Sequence, residues 1–137
     1  MDLVIDANIL FSALIKPYNI TSEILFSNEF NLFAPDYILT EFFEHKSEIL
    51  SKTNFNEQEF DLILTLISSR ITFIPFIEFM HFIKKAEDIS PDKDDVEYFA
   101  LAIKLNCTIW SNDKELKKQK IVKIYSTDEV INFQKGK

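Results

Sequence analysis

Apolar residues along this chain switch repeatedly between short continuous runs and helical spacing. Leu3-Val4-Ile5 is a run of branched apolar residues that stops at the carboxylate of Asp6. Such a run suits a strand buried on both faces, as at the centre of a parallel sheet. Ile9, Leu10, Ala13 and Leu14 then recur at helical spacing. Thr21 to Phe26 predicts a short second helix, with Asn19 or Thr21 near its start. Asn31-Leu32-Phe33-Ala34 is a second strand, stopped by Pro35. From Asp36 to about Leu50 the apolar positions Ile38, Leu39, Phe42, Phe43, Ile49 and Leu50 form one face of a long helix. Glu41, Glu44 and Glu48 fall on its other side.

The second half repeats the theme. Phe60, Ile63, Leu64 and Ile67 stripe a helix that starts after Asn56, and Ile71-Thr72-Phe73-Ile74 is a third strand ended by Pro75. Phe76 to Ala86 reads as helical, its aromatics Phe76, Phe79 and Phe82 recurring every third residue. A helix from Val96 to Leu105 carries the small residues Ala100 and Ala102, which permit close packing on a sheet. Thr108-Ile109-Trp110 is the fourth strand, a short basic helix begins at Lys114, and Ile121 to Tyr125 is the last strand. Thr127 is expected to cap a closing helix with Asp128 and Glu129 in its first turn. Strands alternating with helices throughout predict an α/β domain of three layers, one domain over residues 1–137.

Composition narrows what that domain can do. With 47% hydrophobic residues and 14 Phe, a core is readily filled. A single Gly leaves no room for a glycine-rich phosphate loop or a dinucleotide fingerprint. The lone Cys107 excludes an intrachain disulfide and lies in an apolar segment, where a buried, inert thiol is expected. Met1-Asp2 offers no basic leader, and no apolar run is long enough to span a membrane, so a soluble, cytoplasmic protein is expected. A net charge of −7 argues against a broad nucleic-acid-binding surface. It does not exclude an enzyme that gathers carboxylates around a cation.

Four acids fall at strand ends or helix starts. Asp6 ends the first strand, Glu41 sits in the second turn of the helix after the second, Asp95 opens the helix before the fourth, and Asp113 follows the fourth. If the first and fourth strands are neighbours where the strand order reverses, Asp6 and Asp113 face one crevice. Crowded carboxylates repel one another, and a hard divalent ion such as Mg²⁺ or Mn²⁺ relieves that repulsion. Acid-only sites of this kind suit phosphodiester hydrolysis. Each acid also has an ordinary alternative: Asp6 and Asp113 as helix caps, Asp95 as a helix-start acid, Glu41 as one of a solvated stripe. Periodicity alone does not separate Glu41 from Glu44. His45 and His81 lack the spacing of a metal pair. Lys114, Lys117, Lys118, Lys120 and Lys123 form the one basic cluster, by default a solvated face and otherwise a guide for RNA phosphates.

Ile5-Asp6-Ala7-Asn8-Ile9-Leu10, Ala34-Pro35 with Thr40-Glu41-Phe42, Asp92-Lys93-Asp94-Asp95-Val96-Glu97-Tyr98-Phe99-Ala100-Leu101-Ala102 and Trp110-Ser111-Asn112-Asp113 together resemble a PIN domain. The likeness is to the small single-domain PIN proteins that include VapC-type toxins. It implies a three-layer α/β/α fold with a parallel five-stranded sheet of order 3-2-1-4-5. It further implies a Mg²⁺- or Mn²⁺-dependent endoribonuclease acting on single-stranded RNA, with an antitoxin protein as a candidate partner. The family's acids fall on Asp6, Glu41, Asp95 and Asp113, its small polar supports on Asn8 and Ser111, and an accessory acid on Asp92. Related proteins are commonly dimers, and the abundance of Phe points the same way. The alternative is a PIN domain that no longer cuts and serves as an RNA-binding or scaffold module. A haloacid dehalogenase-type phosphatase is disfavoured, because the second Asp it needs is here Asn8.

Overall fold

The computed structural model describes residues 1–15 and 19–136. Its centre is β1 (Asp2–Ile5), in which Leu3, Val4 and Ile5 have no solvent exposure. β1 pairs in parallel with β2 (Asn31–Pro35) on one side and β4 (Thr108–Trp110) on the other. β3 (Ile71–Ile74) extends the sheet beyond β2 and β5 (Ile124–Tyr125) extends it beyond β4. The order is therefore β3-β2-β1-β4-β5, all parallel, flanked by helices as expected. Val4 opposes Phe33 and Ile109, and Ile5 opposes Trp110, so the ends of β1 and β4 are level. The strand order reverses between these two strands, which is where α/β sheets place their ligands.

The helices follow the apolar stripes, with differences that have local causes. α1 (Ala7–Ile15) buries Ile9, Leu10, Ala13 and Leu14. α2 (Ile20–Leu25) is capped by Asn19, whose side chain accepts from Ser22 N at 3.0 Å. The long helix expected after β2 is two: α3 (Tyr37–Glu44) and α4 (Lys46–Ser51), hinged at His45. No helix-breaking residue announces the hinge; His45 takes φ −101° and still accepts from Ile49 N at 3.0 Å. α5 (Glu57–Ser68) starts at a capping box of Asn56 and Glu59. β2 also runs one residue further than expected, since Pro35 pairs with Ile74 while Asp36 N donates to Ile74 O.

The segment after β3 is helical but not uniform. α6 (Phe76–Phe79) passes through a 3₁₀ turn at Met80–Phe82 into α7 (Ile83–Ile89). The three-residue recurrence of Phe76, Phe79 and Phe82 matches the tighter winding of a 3₁₀ turn. α7 packs on α8 (Val96–Leu105), which lies across β1, β2 and β4 with Ala100 and Ala102 buried. The last strand is shorter than the apolar run Ile121 to Tyr125. Gln119 captures the start of that run, its Oε1 accepting from Ile121 N at 2.9 Å and Val122 N at 2.8 Å. Finally, α9 (Thr127–Lys135) is capped by Ser126, not Thr127, in a capping box with Glu129. The Thr127 hydroxyl is occupied elsewhere, accepting from Trp110 Nε1 at 3.0 Å and Asn112 Nδ2 at 2.9 Å. Among the described residues no helix is long and apolar enough to cross a membrane. The Cys107 thiol is half-buried and pushed up to about 11 by burial, which suits an inert thiol.

Candidate active site

Asp6 leaves the buried end of β1 and is itself only 4% exposed. Its Oδ1 accepts from Ile9 N at 3.0 Å, so it does cap α1. Its other oxygen, Oδ2, accepts from the hydroxyl of Ser111, the residue that follows β4. That hydroxyl oxygen in turn accepts from Asp113 N at 3.1 Å. Ser111 thus ties the ends of the two central strands together. Asp113 also caps, taking Glu115 N on Oδ1 at 3.0 Å ahead of a 3₁₀ turn at Lys114–Lys118.

Asp95 arrives from the helical side. Asp92 Oδ1 accepts from Asp94 N at 2.9 Å and winds a 3₁₀ turn, Lys93–Asp95, that leads into α8. Asp95 stands at the head of α8 without a side-chain capping bond. Its carboxyl is raised to about 6, first by burial and then by the negative charges of Asp6, Asp92, Asp113 and Asp94. Burial also raises Asp6; the bonds from Ser111 and Ile9 oppose that rise and the charge of Asp113 adds to it. Asp6, Asp95 and Asp113 therefore share one electrostatic field at the reversal point. Among the described residues, neither Asp6 nor Asp95 is ion-paired with a lysine or arginine. Nor do any three acidic, His or Cys side chains among them lie close enough to grip one ion.

Glu41 is half-buried on α3, whereas Glu44 is exposed. Burial raises Glu41, the charges of Glu44 and Asp94 add to this, and His45 lowers it. Its surroundings include three residues that sequence reasoning passed over. Glu97, in the first turn of α8, is raised by burial and by the charges of Asp36 and Glu41. Tyr98, buried one residue on, accepts from Ala7 N at 3.1 Å and so grips the peptide that follows Asp6. Tyr37 hydrogen-bonds with Tyr98, their ring centroids 6.1 Å apart, and burial raises both phenols. The available signal was spacing: Tyr98 is three residues beyond Asp95 and so shares its helix face.

The remaining expected residues divide. Asn8 is exposed on the first turn of α1. Asp92 is exposed and shapes the turn before Asp95. Lys114, Lys117, Lys118 and Lys120, which follow Asp113 in the chain, are all exposed, but Lys117 pairs with Glu129 and Lys118 with Glu115. Lys114 and Lys120 make no ion pair among the described residues.

An all-oxygen donor set with uncompensated charge fits a hard divalent cation and gives a soft or nitrogen-seeking metal little to bind. The comparisons place the architecture. A PIN domain family model matches residues 4–133, and the chain belongs to the PIN domain family. Among solved structures it is similar to a chain in the crystal structure of VapBC2 from Rickettsia felis bound to a DNA fragment from their promoter. That likeness has 18% sequence identity and a TM-score of 0.65, and covers 92% of this chain and 98% of the other. The search of curated proteins returns no match.

Proposed function

We propose that residues 1–137 form a single PIN domain that acts as a Mg²⁺- or Mn²⁺-dependent endoribonuclease on single-stranded RNA. The observation that carries this reading is that Asp6 and Asp113, at the level ends of β1 and β4, and Asp95, at the head of α8, act on one another's charge while neither Asp6 nor Asp95 is ion-paired with a lysine or arginine among the described residues. Asp6, Glu41, Asp95 and Asp113 would hold the ion, directly or through water. The ion supplies a more acidic water and stabilisation of the leaving oxygen. The chain's own residues do the rest. Ser111 and the Ile9 N–H fix both oxygens of Asp6, and the Tyr98 hydroxyl fixes the backbone immediately after it. Whichever carboxylate is not engaged with the ion orients or deprotonates the attacking water. Glu41 suits that role, since it is half-buried and its carboxyl is raised by that burial.

The test is cleavage of a single-stranded RNA by the purified chain with Mg²⁺ or Mn²⁺, compared with the same reaction in EDTA. Ion-dependent cleavage that disappears in Asp6→Asn and Asp113→Asn supports the reading; no cleavage with either ion sinks it. The fold shared with a VapBC chain supports a cytoplasmic toxin neutralised by a protein antitoxin. A short neighbouring gene whose product co-purifies with this chain would bear that out. One observation favours a silent RNA-binding module instead: without metal, no chelating triad is closed among the described residues. Calorimetric titration with Mn²⁺ decides, because a silent module leaves the ion unbound.

A further inference from the structure

A cavity of about 660 Å³ opens between the length of α1 and the starts of α2 and α9, and its size is that of an ordinary ligand site. Asn8 lies two residues past Asp6, and Asn112 precedes Asp113, so the cavity adjoins the reversal point of the sheet. Its frame is rigid. Asn112 makes two bonds to Thr127, donating to Oγ1 at 2.9 Å and accepting from N at 2.8 Å. Asn19 donates to Ser12 O at 3.1 Å and accepts from Ser22 N at 3.0 Å, holding α2 against α1. Those two amides are used up in building the walls. Three polar groups on the same cavity are not: the Asn8 amide, the Ser12 hydroxyl and the Asp128 carboxylate have no side-chain partner among the described residues. Phe11, Ile15 and Ile20 supply apolar wall beside them.

An apolar wall that includes the Phe11 ring, with an unpartnered carboxylate and amide on the same cavity, matches the way single-stranded RNA is read, by stacking and by the Watson–Crick edge of an unpaired base. The carboxylate chooses among the bases. It only accepts hydrogen bonds, so it favours the edge that offers two adjacent donors, and in RNA that is guanine, through N1–H and N2–H. The Asn8 amide can then donate to guanine O6. Adenine, cytosine and uracil each present one donor group there, and an acceptor set against the carboxylate is penalised. We propose that this cavity is a guanine-specific subsite for the nucleotide next to the cleaved linkage; the placement of the cut rests on the nuclease reading, the base preference does not.

The test uses the full chain in EDTA, where no cleavage occurs, and the tetranucleotides UUGU, UUAU, UUCU and UUUU. Affinities come from calorimetry, and occupancy of the cavity from the side-chain amide signals of Asn8 and Asn112 in ¹⁵N spectra. UUGU is expected to bind about tenfold tighter than the other three and to shift both amide signals. In Asp128→Asn that margin should shrink to about twofold or less. The variant keeps the Ser126–Glu129 capping box, and thermal melting checks its fold. Equal or unmeasurable affinities, a margin that survives Asp128→Asn, or amide signals that stay in place on binding would overturn the proposal. The two readings fail separately. A guanine margin with no RNA cleavage under Mg²⁺ or Mn²⁺ overturns the nuclease and leaves the subsite standing. Cleavage with no guanine margin does the reverse.

Discussion

Replacing Asp95 by Asn isolates the charge of the site, because Asp95 makes no side-chain capping bond that the change would remove. The gap between its carboxyl at about 6 and the ordinary 3.8 is created by burial and by the acids Asp6, Asp92, Asp113 and Asp94. Such a gap is worth roughly 3 kcal/mol in full. Asp95 is only partly buried, so water screens some of it, and we take about 1–2 kcal/mol. Below 3.8 the carboxyl is protonated in both folded and unfolded chains and contributes nothing. Between 3.8 and about 6 the folded protein keeps a proton that the unfolded chain has released, so metal-free stability falls as pH rises. Above that window the penalty is complete. Asp95→Asn should therefore raise the melting temperature in EDTA at neutral pH by about 3–8 °C, and by almost nothing near pH 4. Cleavage of RNA with Mg²⁺ or Mn²⁺ should be lost in the same variant. The assay is thermal unfolding in EDTA across that pH range, run beside the cleavage reaction. A variant that is less stable at neutral pH, or stabilised equally at both ends of the range, refutes the electrostatic argument. A variant that cuts at the wild-type rate refutes the metal-ligand role.

Tyr98→Phe leaves the Ala7 N–H without its acceptor and should cost about 1–2 kcal/mol in urea unfolding, together with cleavage rate; unchanged stability would mean that water replaces the hydroxyl. Changing Lys114 and Lys120 to Ser should flatten the salt dependence of RNA binding by about two counterions. The same change at Lys117 and Lys118 should do less, since Glu129 and Glu115 already neutralise them, and equal slopes in all variants would leave the cluster as solvated surface. We expect a dimer by light scattering in the micromolar range, because Phe43, Leu62 and Ile77 are 61%, 60% and 71% exposed; a monomer throughout that range would count against it.

The sheet was legible because its central strands are buried on both faces and therefore read as uninterrupted apolar runs. Leu3-Val4-Ile5 and Thr108-Ile109-Trp110 leave little ambiguity, and their parallel pairing follows from the helices between them. What the pattern missed was decided by single side chains acting on the backbone. Gln119 takes the amides that would have begun β5, and Thr127 spends its hydroxyl on Trp110 and Asn112, so the cap passes to Ser126. The hinge at His45 has no sequence mark at all. Glu97 and Tyr98 were read only as part of the Val96 to Leu105 helix and of the motif around Asp95, although Tyr98 secures the peptide after Asp6 and Glu97 feels the charge of Glu41.

The capping role of the acids does not exclude a chemical one. Asp6 and Asp113 do cap, and each uses Oδ1 alone to do so. A carboxylate oxygen carries two acceptor sites, so neither is exhausted by its backbone bond. The capping bonds instead fix where the charges stand: one at the head of α1, one at the head of the turn after β4, with Ser111 bonded to both residues. A helix cap needs only one acceptor, and Ser or Asn serves about as well as Asp. Capping accounts for an oxygen at each position and leaves the accumulated negative charge unexplained. Asp95, which caps nothing and bears the repulsion of the others, is where that excess shows most clearly. An excess of charge that weakens the metal-free fold is what a cation site requires, and it gives a capping array no advantage.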